Sequence, residues 1–509
     1  MRSVGRSIAR AIGLGSRPAG SPRSDGDQRL AAFMARSLGG VEAGYTAART
    51  AELDAEHWLD ADGLSADAQL DPETRFKLRN RSRHEIQNNA WAEGLVDTVV
   101  ADEIGTGPRL IAQTGSRGAD ERIERVFAEW ADAAGLGELL ELLRRAEITD
   151  GEAFGRMTGG TDHAVTLGLE VIEADRFASP TLETDQGSDT DGIEFAGGRP
   201  VRYSILRRHP GDTGAGAGSL ARDIVPADQV VHSFRRKRPG QSRGVPEIVA
   251  AIVIFARIRR YSLAVLGAAE TAANHFATLH TDAPPDGAAQ DESDLAYTSF
   301  SLSSGMTVLP LGWKMSQLRA EQPQTTFGEF VRHELAEAAR SLGVPKAVAL
   351  GDSSDQNFAS GKLDRMQYRK VIERDRERIR RRVLEPLFRA WLREAALVEG
   401  LLPQSARTLE GVPHRWIWPG FDDIDRSKEA AADSQQLADG TTTRTAILAR
   451  SGRTYRDLLL EVQRERELEV ELDVTPGGQA AGGPPSEESE DDGAGQAAGE
   501  AEAEGGGDA

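Results

Sequence analysis

Apolar positions recur at helical spacing over most of the chain and switch to a two-residue period in the middle of its first half. Asp71, Pro72 and Glu73 supply an N-cap and a proline at the first helical position, so a helix is predicted from Pro72. It should break near Asn88, Asn89 and Ala90 and stop at Gly105 to Pro108. Ile123, Val126, Phe127 and Trp130 predict a second helical region over 120–145, with Trp130 in the core. Strands are then expected at Leu167–Ile172, Ile193–Ala196, 201–206 and Val230–Phe234, with Gly197 and Gly198 turning the second into the third. A β-rich patch between helices is an α+β arrangement.

Helical spacing returns over 246–277, through Ile248, Ile252, Phe255, Ile258, Leu263 and Leu266. A loop at 283–294 leads to a small β segment, 297–302 and 306–311, turned by Ser303 to Gly305 and closed by Gly312, Trp313 and Lys314. The next helix is expected from Thr325 to Ser341, capped by Thr325 or Thr326 with Glu329 following. The polar stretch 343–357 reads as a loop. After it, residues 362–393 form a long helix with twelve Lys and Arg and a thin apolar stripe of Ile372, Ile379, Val383, Leu387 and Trp391. Pairs such as Glu377 with Arg381 and Asp375 with Arg378 should bridge its surface. Pro386 cannot donate to Arg382, so a break is expected there. Past Gly400, helices are predicted over 422–437, from a Thr441–Thr443 cap to Ala449, and over Tyr455–Glu471.

Composition then limits the chemistry. The 509 residues suffice for two or three domains, and the formal net charge is −20. From Pro476 onward there are nine acids and no Lys or Arg, which predicts a disordered acidic tail. The remaining charge of about −11 argues against a tight duplex binder, which releases counterions from a basic surface. With no cysteine, disulfides and thiolate metal sites are excluded, and the nine histidines show no zinc-ligand spacing. No apolar run is long enough to span a bilayer, and the arginine-studded N-terminus lacks a secretory core. These features predict a soluble protein made inside the cell, with no membrane partner, cofactor or metal. Residues 1–60 read as a flexible arm.

Three motifs invite enzymatic readings. Gly240, Ser242 and Gly244 match GxSxG, the nucleophile elbow of serine hydrolases, although five residues separate it from the preceding strand. Asp352, Asp355 and Asp364 could hold a divalent ion for a DNA-processing enzyme, without EF-hand spacing. Gly361 and Lys362 resemble the end of a phosphate-binding loop, but Leu363 stands where Ser or Thr must hold magnesium. Two cation runs, Arg235, Arg236, Lys237 and Arg238, and Arg380, Arg381 and Arg382, are candidates for contact with DNA or with a neighbouring subunit.

Several stretches, taken in order, resemble the lambda-type family of phage portal proteins. They are RSRHEIQNNAWAEGLVDTVVADEIGTGPRL, LEVIEADRF, IVPADQVVHSFRRKRPGQSRGVPEIVAAI, LGVPKAVALGDSSDQNFASGKLDR and HRWIWPGFDDIDRSKEAAADSQQLADGTTTRTAILARSG. The third is the most specific. Two departures stand out: Arg426 and Ser427 replace the usual proline before Lys428 and Glu429, and Phe358 to Lys362 replaces a Tyr-Ser-Ser-x-Arg run.

The resemblance implies a non-enzymatic virion component, assembled in the host cytoplasm into a ring, typically a dodecamer, at one capsid vertex. Double-stranded DNA would pass through it, driven by the terminase large subunit. Major capsid, scaffold and head–tail connector or adaptor proteins would contact it. The portal fold implied has a wing over 61–245, stem helices over 246–277 and 325–342, and a clip over 278–324. A tunnel loop over 343–360, a long kinked helix over 361–399 and a crown over 400–472 complete it, before the acidic tail over 473–509. Lys346, Asp352, Ser353, Ser354, Asp355, Gln356 and Asn357 would then face the DNA channel.

Overall fold

The computed structural model describes residues 63–178, 191–212, 221–274, 277–281, 313–317, 324–354, 356–404, 411–421 and 426–472. The chain divides into Met1–Gln69, whose described residues, 63–69, include one helical turn at Ala66–Gln69, and Leu70–Ala509. The arm, the acidic tail and the expected strands at 297–302 and 306–311 lie outside the described residues.

In the larger unit α1 (Pro72–Asn88) begins where the sequence predicts, its cap made by Asp71, whose carboxylate accepts from Thr74 N–H at 2.7 Å. Asn89 separates it from α2 (Ala90–Ile104) and accepts from Trp91 N–H. Gly105, at φ 55°, ends α2 by donating to the Ala101 carbonyl. Strand β1 (Arg109–Ala112) pairs antiparallel with β10 (His414–Ile417), tying the start of the unit to residues three hundred positions later. The region expected as one helix over 120–145 is two, α3 (Arg117–Ala133) and α4 (Leu136–Asp150). Gly135 breaks them in a left-handed conformation, φ 62°.

Two three-stranded antiparallel sheets follow. The first has β2 (Glu152–Gly159) between β3 (Leu167–Ile172) and β7 (Val230–Phe234). The second has β5 (Arg199–Leu206) between β4 (Ile193–Ala196) and β6 (Arg222–Pro226). Stacked rings of Phe154, Phe177 and His232, with Tyr203 set edge-on, fill a small core that spans both sheets. β2 follows α4 through Gly151, whose φ of 92° and close contact with Val245 and Pro246 leave no space for a side chain.

The helix expected over 246–277 is α5 (Val249–Asn274); its last residues instead begin β8 (Ala277–Thr281). Trp313, expected to close a turn, opens β9 (Trp313–Gln317), which pairs antiparallel with β8. Helix α6 (Gln324–Leu342) starts one residue before the expected caps, so Thr325 and Thr326 sit in its first turn. It runs antiparallel to α5: Arg257 meets Glu334 and Glu337, whereas Tyr261 packs on Phe327 and Phe330. The β8–β9 pair therefore closes the far end of a two-helix arm.

Helices α7 (Lys346–Leu350) and α8 (Phe358–Ile379) follow; α8 continues through a π turn (Arg380–Leu384) into α9 (Glu385–Leu397). The break expected at Pro386 takes this form: the helix widens just before the residue that has no N–H to give, and Glu385 N–H reaches the Arg380 carbonyl. The predicted stripe is buried throughout, and Trp391, Phe388, Phe127 and Trp130 form the aromatic centre of the main core. Helices α10 (Arg426–Ala438), α11 (Arg444–Arg450, capped by Thr443) and α12 (Tyr455–Glu471) complete the described chain.

Candidate channel segment and buried charge joint

The stretch expected to be a loop is a turn, a short helix and a second turn. Gly343, at φ 79°, ends α6, and buried Val344 donates back to the Ala339 carbonyl. Pro345 then precedes α7, which carries Lys346, and Gly351 (φ 61°) stops it. The Asp352 carboxylate accepts from Ser354 N–H at 3.0 Å and lies 3.5 Å from Arg332. Those hydrogen bonds from Ser354, with Arg332 beside them, hold its pKa below the usual carboxylate value. The Ser353 carbonyl accepts from Gln356 N–H, the Gln356 side chain donates to Asp364 at 2.9 Å, and Asn357 caps α8 through Ser360 N–H. Six of the seven residues expected at the channel are thus gathered between α6 and α8; Asp355 lies outside the described residues.

Two of the three carboxylates of the nuclease reading are already engaged within the chain. Asp364 is committed to Gln356 and Asp352 to Ser354 and Arg332. Among the described residues the group of side chains close enough to hold an ion is elsewhere: Glu173, Asp175 and His209. Arg79 and Arg83 already clamp Asp175 at 3.0 and 2.7 Å. His209 Nδ1 accepts from Gly211 N–H, which leaves its proton on Nε2, facing Glu173 at 3.3 Å. Asp175 is thus already part of an ion-pair cluster with Arg79 and Arg83.

The hydrolase reading fails. The GxSxG segment lies in the loop between β7 and α5, beside an antiparallel sheet, with Gln241 and Arg243 buried. Arg243 pairs with Glu152 through 2.6 and 3.0 Å hydrogen bonds, and a Cβ on Gly244 would stand 2.0 Å from the Gly151 carbonyl oxygen. The second glycine is there for close backbone packing, not for a nucleophile's turn.

Sequence reasoning missed a buried charge joint where α2, α4, the start of α5 and α8 meet. Arg144, whose side chain is 1% exposed, donates to Glu103, Glu147 and Glu247. Arg378 continues the network to Glu147 at 2.7 Å, Glu247 at 3.3 Å and Asp375 at 2.5 Å, and the Ser233 hydroxyl donates to Glu147. Burial alone raises a carboxyl's pKa, but Arg144 and Arg378 hold Glu247 down to about 2. At Glu103 burial prevails over Arg144 and pushes the carboxyl up to about 7. Nearby, Arg376 lies over the rings of Trp418 and Phe421, at 5.4 and 4.9 Å, and donates to the Glu103 and Asp102 carbonyls.

Glu103 gives the joint a pH dependence. Its folded pKa, about 7, lies above its ordinary value of 4.5. Its contribution to stability is full below the unfolded pKa and is lost as pH rises through about 7. Unfolding midpoints measured from about pH 4.5 to 7.5 should fall, by on the order of 3 kcal/mol from this group. Glu103→Gln should flatten that fall; a variant with the wild-type slope would show that another group titrates.

The two cation runs fare differently within the chain. Arg380 pairs with Glu377 and Glu385, and Arg381 with Glu377. Arg235 is 4.0 Å from Glu247, and Arg236 lies over the Phe234 ring. Lys237 and Arg238 are exposed on the same loop, and Arg382 is exposed on the π turn. No helix among the described residues is long and apolar enough to cross a membrane.

Comparison with known proteins places these features in a family. Residues 55–376 match the family described as phage portal protein, lambda family. A probable portal protein of Halomonas phage phiHAP-1 is 24% identical over 429 residues, covering 77% of this chain and 81% of that one. Among solved structures, the neck of an empty gene transfer agent particle is 15% identical with a TM-score of 0.44, over 74% of this chain and 92% of that one. The virion of the native particle is 16% identical with a TM-score of 0.41, over 74% and 94%.

Proposed function

The chain belongs to the lambda family of phage portal proteins, structural and non-enzymatic capsid components, and we propose that its copies close into a dodecameric ring at one capsid vertex. In this reading the ring is the channel through which a terminase packages double-stranded DNA and through which the DNA later leaves. The observation that carries it is the two-helix arm: α5 and α6 run antiparallel, are closed at one end by β8–β9, and return at the other directly into α7. That is the order a stem, a clip and a channel segment require. The sheets and α1 to α4 would be the wing, α8 and α9 the long helix behind the channel, and α10 to α12 the crown. The clip would meet the terminase large subunit and, later, head–tail connector proteins. The wing would meet major capsid and scaffold proteins, after assembly in the host cytoplasm.

A conduit must hold a moving duplex loosely, because every fixed contact to phosphate has to be broken as the duplex advances. An acidic body with a few placed cations meets that need. Deletion of residues 351–357 should leave ring assembly intact and impair DNA packaging or retention, read as DNase-protected DNA per particle. Loss of rings on this deletion would identify the segment as part of the assembled core, and full packaging would remove it from the channel.

A further inference from the structure

The last helix, α12, is held at its start and bare at its end. Arg456 pairs with Glu121 of α3, Asp457 pairs with Arg109 of β1 at 3.1 Å, and Leu459, Leu460 and Gln463 line a cavity against those same two elements. Further on, Leu468, Val470 and Leu472 are exposed, Val470 to 83%. Val470 lines one groove with Leu459 and Val462, whereas Leu468 and Leu472 lie on the opposite side of the helix. A helix end that is apolar on opposite sides is one that becomes buried. Glu467, Glu469 and Glu471 alternate with these apolar groups, and no Lys or Arg follows Arg466 in the chain.

A complementary cavity of about 800 Å³ lies where α7, α8 and α10 meet. Val348, Met366 and Phe421 give it an apolar lining, and Lys362, Arg365 and Lys428 stand on its wall. Along the lining, five Lys and Arg face three carboxylates, so the wall is positive in a chain of net charge −20. Two of those carboxylates, Asp102 and Asp433, are already engaged by Tyr368 and Arg450, at 2.8 and 2.9 Å. Resting on the ring reading above, we propose that residues 467–472 of one copy enter this cavity on the next copy. Leu468, Val470 and Leu472 meet the apolar lining, and Glu467, Glu469 and Glu471 meet Lys362, Arg365 and Lys428. A phosphate chain would use only the cations and leave the apolar lining uncovered. A contact between two different patches repeats head to tail, which is how a rotational ring closes.

Charge reversal tests the pairing. Assembly is followed by native mass measurement against concentration for wild type, K362E/R365E, E467K/E469K/E471K and the combination of the two. Each reversal alone should raise the concentration for half assembly by about tenfold or more, and the combination should recover most of that loss. The chain has no cysteine, so M366C and L472C introduce its only thiols. A short bismaleimide should link the double variant into a ladder of chain multiples and should link neither single variant. A product confined to the mass of one chain puts the helix end in its own cavity, and linking of L472C alone pairs one α12 with another; either overturns the proposal. Rings that assemble at the wild-type concentration in both reversals, or reversals that the combination does not rescue, overturn it while leaving the ring reading in place. Absence of rings in wild type sinks the ring reading itself, and this contact falls with it.

Discussion

Replacing Arg144 with alanine is expected to cost the folded chain about 3–5 kcal/mol, because it leaves buried carboxylates without their main counter-charge. Glu103, Glu147 and Glu247 all receive hydrogen bonds from this one guanidinium, and Arg378 reaches only the latter two. The loss should grow with pH, since protonation of Glu103 relieves part of the repulsion below about 7. Arg144→Lys should recover little, because a single ammonium cannot serve three carboxylates in fixed directions. Adding Glu103→Gln to Arg144→Met should recover much of the stability, as removing both partners of a buried pair costs less than removing one. The check is the denaturant midpoint; Arg144→Ala unfolding with the wild-type midpoint would contradict the joint.

The second large effect is at Trp391. The side chain is fully buried, with ring centroids 5.1 Å from Phe127, 5.7 Å from Phe388 and 6.3 Å from Trp130. Trp391→Ala opens a cavity among three aromatic rings, for an expected loss of about 3–5 kcal/mol. The indole N–H has no hydrogen-bond partner among the described residues, so Trp391→Phe should lose far less, giving up contact area but no bond. Equal destabilisation by the two variants, measured by thermal unfolding, would show that the indole nitrogen is doing something the packing does not.

Much of the fold follows from local signals. The Asp71 and Pro72 start of α1, the Asn89 break, the Gly105 stop, the Gly197 and Gly198 turn and the stripe from Ile372 to Trp391 each act within one or two helical turns or one hairpin. What escaped was set at long range. β2 holds two glycines and lies between two neighbours, so it shows no alternation, and β1 and β10 are four-residue strands that exist only by pairing with each other. α7 is five residues, too short to show a period.

The partners of the long helix were legible only in part. Its arginines read as bridging acids of their own helix and as contacts to a neighbouring subunit or to DNA, and the first is found for Arg381 with Glu377 and Arg378 with Asp375. Arg378 finds Glu147 231 positions away, and Arg376 finds the Glu103 carbonyl 273 positions away. Part of the charge on the long helix joins it to α2, α4 and the residues just before α5. Of the two runs, Arg236, Lys237, Arg238, Arg381 and Arg382 are exposed, and Arg235 and Arg380 are half-buried.

Ring closure tests the account most directly. Purified full-length protein, examined by native mass measurement and negative-stain microscopy, should form annular particles with a central hole, at about twelve times the 54.8 kDa chain mass. A species that stays at the mass of one chain as concentration rises, with no annular particles even beside scaffold protein, contradicts it.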